Sequence, residues 1–228
     1  MEDLVRAALF DVDGTLVDTN ALHVAAWHEA FLGFGHDVPA AAIARQIGKG
    51  GDNLIPALLP GIGDSQRRRI EARRGALYRR DYLARAVPFP GVRPLFERLA
   101  ADGIRIVLAS SSHREEVDFH LALIGCEDLV EAVASRDDAA RSKPCPDIFE
   151  AALARLAPLG PEAAIAIGDS PWDMEAAGRA GLRAIGFRSG GFPDASLREA
   201  GAVALFDGPR DLLAGYAESP FARHRQTA

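Results

Sequence analysis

The sequence predicts an α/β protein, a doubly wound parallel sheet interrupted by an all-helical insertion, on three observations. Apolar runs at 5–10, 104–109, 164–167, 182–187 and 202–206, with a weaker one at 129–134, are short and nearly continuous, as in strands buried on both faces. Helix-like segments at 92–101, 115–124, 147–156 and 172–180 lie between most of them, and strand alternating with helix builds a parallel sheet covered on both faces. The stretch from about Asn20 to Pro88 breaks that alternation, because it holds no convincing strand.

Taken in order, the run Val5 to Phe10 reads as the first strand, and Gly14 stops it and lets the chain turn. Ala21, Leu22, Ala25, Ala26, Ala30 and Phe31 then recur at helical spacing. Leu54, Leu58 and Leu59 follow, and a long helix is expected from about Asp64 to Ala86, carrying Ile70, Leu77 and Leu83. So much helix is far more than a simple crossover between strands needs, so 19–88 reads as a helical cap above the end of the first strand. Val87-Pro88-Phe89-Pro90-Gly91 reads as the return hinge, since two prolines and a glycine disfavour helix. Residues 1–18 and 89–228 then form a Rossmann-like core, with a polar tail from Glu218 expected to fray.

Composition narrows the class. With 228 residues, 48% hydrophobic and 25% charged, the chain can bury a substantial core. A net charge of -6 argues against nucleic acid or an anionic membrane as the main partner. Cys126 and Cys145 have no paired spacing, which suits a reducing compartment. The sequence shows neither a signal-type segment nor an apolar stretch long enough to cross a bilayer, so a cytoplasmic protein is expected.

Four short elements carry chemistry, each at the C-terminal end of an expected strand or in the loop after it. They are Asp11-Val12-Asp13-Gly14-Thr15, Ser110-Ser111-Ser112, Ser142-Lys143-Pro144-Cys145-Pro146-Asp147 and Gly168-Asp169-Ser170-Pro171-Trp172-Asp173. Such ends converge at the topological switch point of a parallel sheet. Carboxylates at Asp11, Asp13 and Asp169 are hard oxygen ligands suited to Mg²⁺. Ser110 and Lys143, with backbone N–H groups around Gly14 and Ser111, supply donors for a phosphoryl group. Singly each has an ordinary reading: DxDG as a turn, Asp169 or the serines as helix caps, Lys143 as an exposed loop residue. Together and in this order they describe a site.

The order DxDGT, serine after a strand, KPxPD and GDSxxD resembles the haloacid dehalogenase superfamily, in its phosphatase and phosphomutase branch with a helical cap. The resemblance runs from Val5 to about Phe206. It implies Asp11 as nucleophile, Asp13 as general acid and base, and Ser110 and Lys143 as ligands of the phosphoryl oxygens. It also implies Mg²⁺ held by Asp11, the Asp13 carbonyl and Asp169, with Asp173 supporting the metal or Lys143 from behind. The substrate it implies is a small phosphorylated metabolite, of the phosphoglycolate or sugar phosphate type, and a monomer suffices because one chain supplies both cleft and cap.

The alternative is a sugar phosphomutase of the β-phosphoglucomutase type. That group carries a cap-loop arginine, whose position falls near Gly51 here, and a Lys-Asn pair replaced here by His113-Arg114. Both departures favour the phosphatase. Dehalogenases lack the second acid, present here as Asp13, and a binding module would be expected to have lost one of Asp11, Asp13, Lys143 or Asp169.

In the cap, the glycine-rich loop 47–52 is expected to bring Lys49 above Asp11. His23 lies at a spacing similar to a cap histidine of the mutase group, and Trp27, on the same helix face, reads as core. The eight arginines between 67 and 85 read as a solvated face, from which Arg79 or Arg80 reaches the cleft.

Overall fold

Short strands buried on both faces need helices above and below, and outside one helical insertion the chain supplies them by alternation. In the computed structural model, which describes residues 5–222, β1 (Ala7–Phe10) leads into β2 (Val17–Asp18) and then four helices, α1 (Asn20–Gly33), α2 (Ala40–Ala44), α3 (Gly51–Leu58) and α4 (Asp64–Leu77). The chain returns through β3 (Val87–Pro88) and α5 (Val92–Ala101) to β4 (Arg105–Ala109). It continues with α6 (Arg114–Ile124), β5 (Ala132–Ala134), α7 (Asp147–Ala154), β6 (Ala164–Gly168) and α8 (Pro171–Arg179). β7 (Arg183–Phe187), α9 (Asp194–Glu199), β8 (Ala202–Phe206) and α10 (Pro209–Ala214) complete it.

Six strands form one parallel sheet in the order β5-β4-β1-β6-β7-β8. The order reverses at β1, so β1, β4 and β6 flank the crevice where such sheets bind ligands. Alternate residues of each central strand serve different faces. Phe10, Ile106, Leu108, Ile165 and Ile167 join Leu95, Phe96 and Leu99 of α5 in one core. The opposite face carries Ala7, Ala109, Ala164 and Ala166, against Phe149 of α7 and Met174, Ala176 and Ala177 of α8.

The helical segment has its own apolar cluster, built from Trp27, Ala30, Phe31, Val38, Ile43, Ile47, Leu54, Ile55, Ile70 and Leu77. Its two connections to the sheet are tied together, because β2 pairs antiparallel with β3. That corrects the reading of 20–88 as free of strand. Pro88 is tolerated because a two-stranded ribbon leaves every residue at an edge.

Three further expectations need correction. The helix expected to run to Ala86 is α-helical only to Leu77, after which Tyr78–Tyr82 forms a π-helical turn and Leu83–Arg85 a 3₁₀ turn. The wider turn carries Tyr78, buried and stacked 4.1 Å from His23, next to Arg79, which pairs with Glu116. α9 and α10 were not anticipated; both are only 6 residues long, too short for a clear period. The tail does not fray at Glu218: Tyr216 and Phe221 are buried with ring centroids 6.1 Å apart, and the Ser219 hydroxyl donates to the Tyr216 carbonyl at 2.7 Å. Aromatic burial outweighs the polar average there, and the rest of the expected tail, 223–228, lies outside the described residues. Among the described residues no helix is long and apolar enough to cross a membrane.

Candidate active site

The sheet itself aligns the four motifs. The Asp11 N–H donates to the Ile167 carbonyl at 2.8 Å, and the Ser110 N–H to the Ala134 carbonyl at 3.0 Å, so the ladder runs one residue past each strand. Asp11, Ser110 and Asp169 therefore leave neighbouring strand ends together. The alternative cap roles fail. The N-terminus of α8 is capped by Ser170, with Asp173 completing a capping box, which frees Asp169. No serine side chain caps α6; the Asp137 carboxylate takes the Arg114 N–H at 3.0 Å instead.

Lys143 is the cation of this floor. It is 1% exposed, donates to Asp11 Oδ1 at 2.5 Å and lies 2.6 Å from Asp173 Oδ1. Burial opposes its charge, but Asp11 and Asp173 outweigh that and raise its pKa. Asp169 accepts from Thr15 Oγ1 at 3.2 Å and from Asn20 Nδ2 at 2.7 Å. Burial pushes the Asp11 carboxyl up to about 7 against the pull of Lys143, with the Asp173 and Asp13 charges adding to the rise. Burial also raises Asp169 well above the usual range, again reinforced by Asp173 and Asp11. Three buried carboxylates thus share one ammonium.

Asp13 sits in a different setting. It accepts from Thr19 Oγ1 at 2.8 Å, Ser112 Oγ at 2.7 Å and His23 Nε2 at 2.9 Å, with His120 Nδ1 at 3.7 Å. Burial alone would raise its pKa; His23, its hydrogen bond, His120 and Ser112 more than offset this and hold it well below the carboxylate range. Arg74 reaches His23 Nδ1 at 2.6 Å, so that nitrogen accepts and Nε2 carries the proton given to Asp13. Burial, the largest influence, and the Arg74 charge lower the His23 pKa and favour this neutral tautomer. Arg74 and Arg79 in turn lie 3.9 and 3.3 Å from the buried Glu116 of α6. A relay of charges thus joins the helical segment to the sheet domain through Asp13.

The donor set fits a divalent cation. Ligand oxygens of Asp11, Asp169 and Asp173 all lie within 4.8 Å of one another, all are hard donors, and their negative charge exceeds what Lys143 supplies. Asp11 and Asp169 would hold the ion, Asp173 being already engaged by Lys143 and Ser170. Space for it depends on glycine: Cβ atoms at Gly14 and Gly190 would lie 2.2 and 2.5 Å from Asp169 Oδ2. Gly14 also has φ +78°, a conformation that costs other residues about 1–2 kcal/mol. Gly14→Ala is therefore expected to lower the melting temperature and to remove any stabilisation by added Mg²⁺. Thermal melts with and without the ion check this, and an unchanged Mg²⁺ shift would count against the placement of the cation at Asp169.

Above this floor lies a partly open cavity of about 70 Å³, lined by Asp11, Asp13, Ser111 and Ser112 from below and by His23, Lys49 and Arg74 from above. The buried Ser111 hydroxyl has no hydrogen-bond partner. Ser110 is fully buried beneath it, its Oγ accepting the Ser112 N–H at 3.0 Å. Lys49 lines the cavity, but its ammonium donates to Gln46 Oε1 at 2.7 Å and rests 3.6 Å from the Trp172 ring centroid. The acid at the centre of the floor is met by Lys143 instead. Among the arginines the correction is specific. Arg74 lines the cavity, Arg79 lines the adjoining groove and pairs with Glu116, and Arg80 is exposed and bound to Asp81.

Thr15 and Ser112, named in the sequence only as members of their motifs, join the site, as do Thr19, Asn20, Glu116 and His120, which the sequence reading missed. Only Glu116 and His120 carried a usable signal, two polar residues four apart on a face of α6 that the core buries.

Comparison with known proteins points the same way. A family model described as haloacid dehalogenase-like hydrolase matches residues 5–181. The chain is 34% identical over 233 aligned positions to the protein CbbY of Cereibacter sphaeroides, covering 93% of this chain and 96% of that one. It is 31% identical over 217 positions to the phosphoglycolate phosphatase of Rhodospirillum rubrum, with 89% and 87% covered. Among solved structures, a hydrolase from Pseudomonas syringae matches with a TM-score of 0.87 at 30% identity, covering 94% of this chain and 98% of that one.

Proposed function

Because the chain belongs to the haloacid dehalogenase-like hydrolase family, we propose that it is a Mg²⁺-dependent phosphatase acting on a small phosphorylated metabolite through an aspartyl phosphate on Asp11. The observation that carries this reading is the contrast between two acids lining one cavity. Asp11 lies in a cluster of carboxylates around Lys143, whereas Asp13 is held by His23, Ser112 and Thr19.

Lys143 takes one Asp11 oxygen and leaves the other, Oδ2, beside Thr15 Oγ1 at 3.2 Å to attack phosphorus. The bond from Oδ2 to phosphorus forms as the ester bond breaks. Asp13, having taken up a proton, gives it to the departing oxygen. Asp13 then accepts a proton from the water that attacks the aspartyl phosphate, and the ionised state favoured by its partners suits that second step. Ser110 and Ser111 are the proposed phosphoryl donors, with Lys143 balancing charge; the Gly14 N–H, expected among them, is given to the Val17 carbonyl at 2.8 Å by the turn after β1. Bound at Asp11 and Asp169, with the Asp13 carbonyl as the proposed third protein ligand, Mg²⁺ supplies charge neutralisation for the transferring group.

Residues 19–88 act in this reading as a cap. In this reading the cap opens to admit substrate and release product and closes to exclude water. The relative from Rhodospirillum rubrum makes phosphoglycolate the first metabolite to try, followed by the sugar phosphates that the motif resemblance implies. A screen of phosphorylated metabolites is expected to show phosphate release that needs Mg²⁺ and stops with a chelator. Interconversion of sugar 1- and 6-phosphates primed by a bisphosphate, without net release of phosphate, would replace this reading by the mutase.

A further inference from the structure

Ser142, beside Lys143, is 1% exposed, yet most of its partners come from the helical segment some ninety residues away. Its N–H donates to Asp52 Oδ2 at 3.0 Å and its hydroxyl to Asp52 Oδ1 at 2.5 Å. The same hydroxyl oxygen accepts from the Gly50 N–H at 3.0 Å and from Asn53 Nδ2 at 3.2 Å. One proton and two lone pairs are all a serine hydroxyl has, so it is fully satisfied. Asn53 Nδ2 also reaches the carbonyls of Ser142 at 2.9 Å and Lys143 at 3.2 Å.

The approach is close enough to require glycine: a Cβ at Gly50 would lie 2.6 Å from Ser142 Cβ. From the other side the loop is held by the sheet domain. The Arg141 N–H donates to Asp147 Oδ2 at 3.0 Å, and Arg179 Nη1 donates to the Pro144 carbonyl at 2.6 Å. The stretch carrying Lys143 is thus clamped between the helical segment and the sheet, and in the reading of 19–88 as a cap the first of these moves for substrate to enter.

We infer that Asp52, Asn53 and Ser142 form a closure latch that couples seating of the helical segment to the placement of Lys143 against Asp11 and Asp173. The inference rests on the proposed reading of 19–88 as a cap and of Lys143 as a phosphoryl ligand. Asp52 and Asn53 are positioning residues, acting on the reaction through the loop they hold. When the segment lifts, every bond from Gly50, Asp52 and Asn53 to this loop breaks, and Lys143 keeps only its contacts within the sheet domain. When it seats, the same bonds restrain the Lys143 backbone from the solvent side. Lys143 is then correctly placed only in the closed enzyme, where water is excluded.

The test compares wild type, Asp52→Ala, Ser142→Ala and the double variant. Hydrogen exchange on the metal-free protein is expected to rise about tenfold in Asp52→Ala at 48–54 and, together with it, at 141–145, while β1 and β6 stay protected. With p-nitrophenyl phosphate and Mg²⁺, each single variant is expected to lower kcat about tenfold. The double variant falls no further than the lower single, because both remove the same coupling. Exchange at 141–145 unchanged in Asp52→Ala, or kinetic effects that multiply, would overturn the latch. A wild-type protein with no turnover of any phosphate monoester would sink the phosphatase reading instead, leaving the exchange pattern to decide the latch.

Discussion

Asp11→Asn is expected to lower turnover of p-nitrophenyl phosphate by about 10⁶-fold, the scale seen when a catalytic nucleophile is removed, while the protein stays folded. The amide has nearly the shape of the carboxylate but lacks a nucleophilic oxygen anion, so no aspartyl phosphate forms. Stability should not suffer in proportion. Asp11 is one of three buried acids around a single ammonium, and Lys143 keeps Asp173 at 2.6 Å after the change. Burial already disfavours the Asp11 charge. The metal-free variant is therefore expected to melt within about 3 °C of wild type, a range equal to roughly 1 kcal/mol in a chain of this size. Initial rates and thermal melts on the same preparation separate the two effects. Retained turnover in a pure sample would remove Asp11 from the mechanism, and a melt lowered by much more would mean that its pairing with Lys143 supports the fold.

Lys143→Met is expected to have the opposite profile, losing both activity and stability. Removing the cation leaves Asp11, Asp169 and Asp173 buried without a compensating charge. Breaking a buried pair from one side costs about 3–5 kcal/mol, equivalent to a fall in melting temperature of roughly 10 °C for a chain of this length. Methionine fills much of the vacated space, so little of the loss comes from a void. Adding Asp173→Asn to the variant removes one uncompensated acid and is expected to recover part of the melting temperature without restoring turnover. Equal melting of Lys143→Met and wild type would show that this ammonium contributes nothing net to folding.

These expectations concern residues that sequence reasoning reached and others that it did not. Phe10, Leu108 and Ile167 end apolar runs that the sequence marks plainly, and Asp11, Ser110 and Asp169 follow them by chain order. A strand end is a local event, so these positions were legible. Arg74 was not separable from its seven arginine neighbours between 67 and 85. Its role comes from the turn of α4 that faces His23 and Glu116, and a helix of arginines has no period from which to read a face. His120 and Glu116 share one face of α6 by their spacing, but their partners, Asp13 and the arginines at 74 and 79, are set only when α6 packs beside them. Lys49 is the converse case, a residue aimed at the right cavity whose ammonium the structure gives to Gln46 and Trp172.

By itself the sequence determined the alternating sheet, the helical insertion after β1 and the four motifs at strand ends, because each depends on the order and period of neighbouring residues. Tertiary structure alone decided how the acids divide. Asp11 meets Lys143 across 132 residues, and Asp13 meets His23, Ser112 and His120 from separate helices and loops. Charge and protonation follow distance and burial, which depend on the packing of elements far apart in the chain. The docking of Asp52 and Asn53 on Ser142 has the same origin: no local pattern marks a loop for a partner ninety residues away until the helices carrying it are seated.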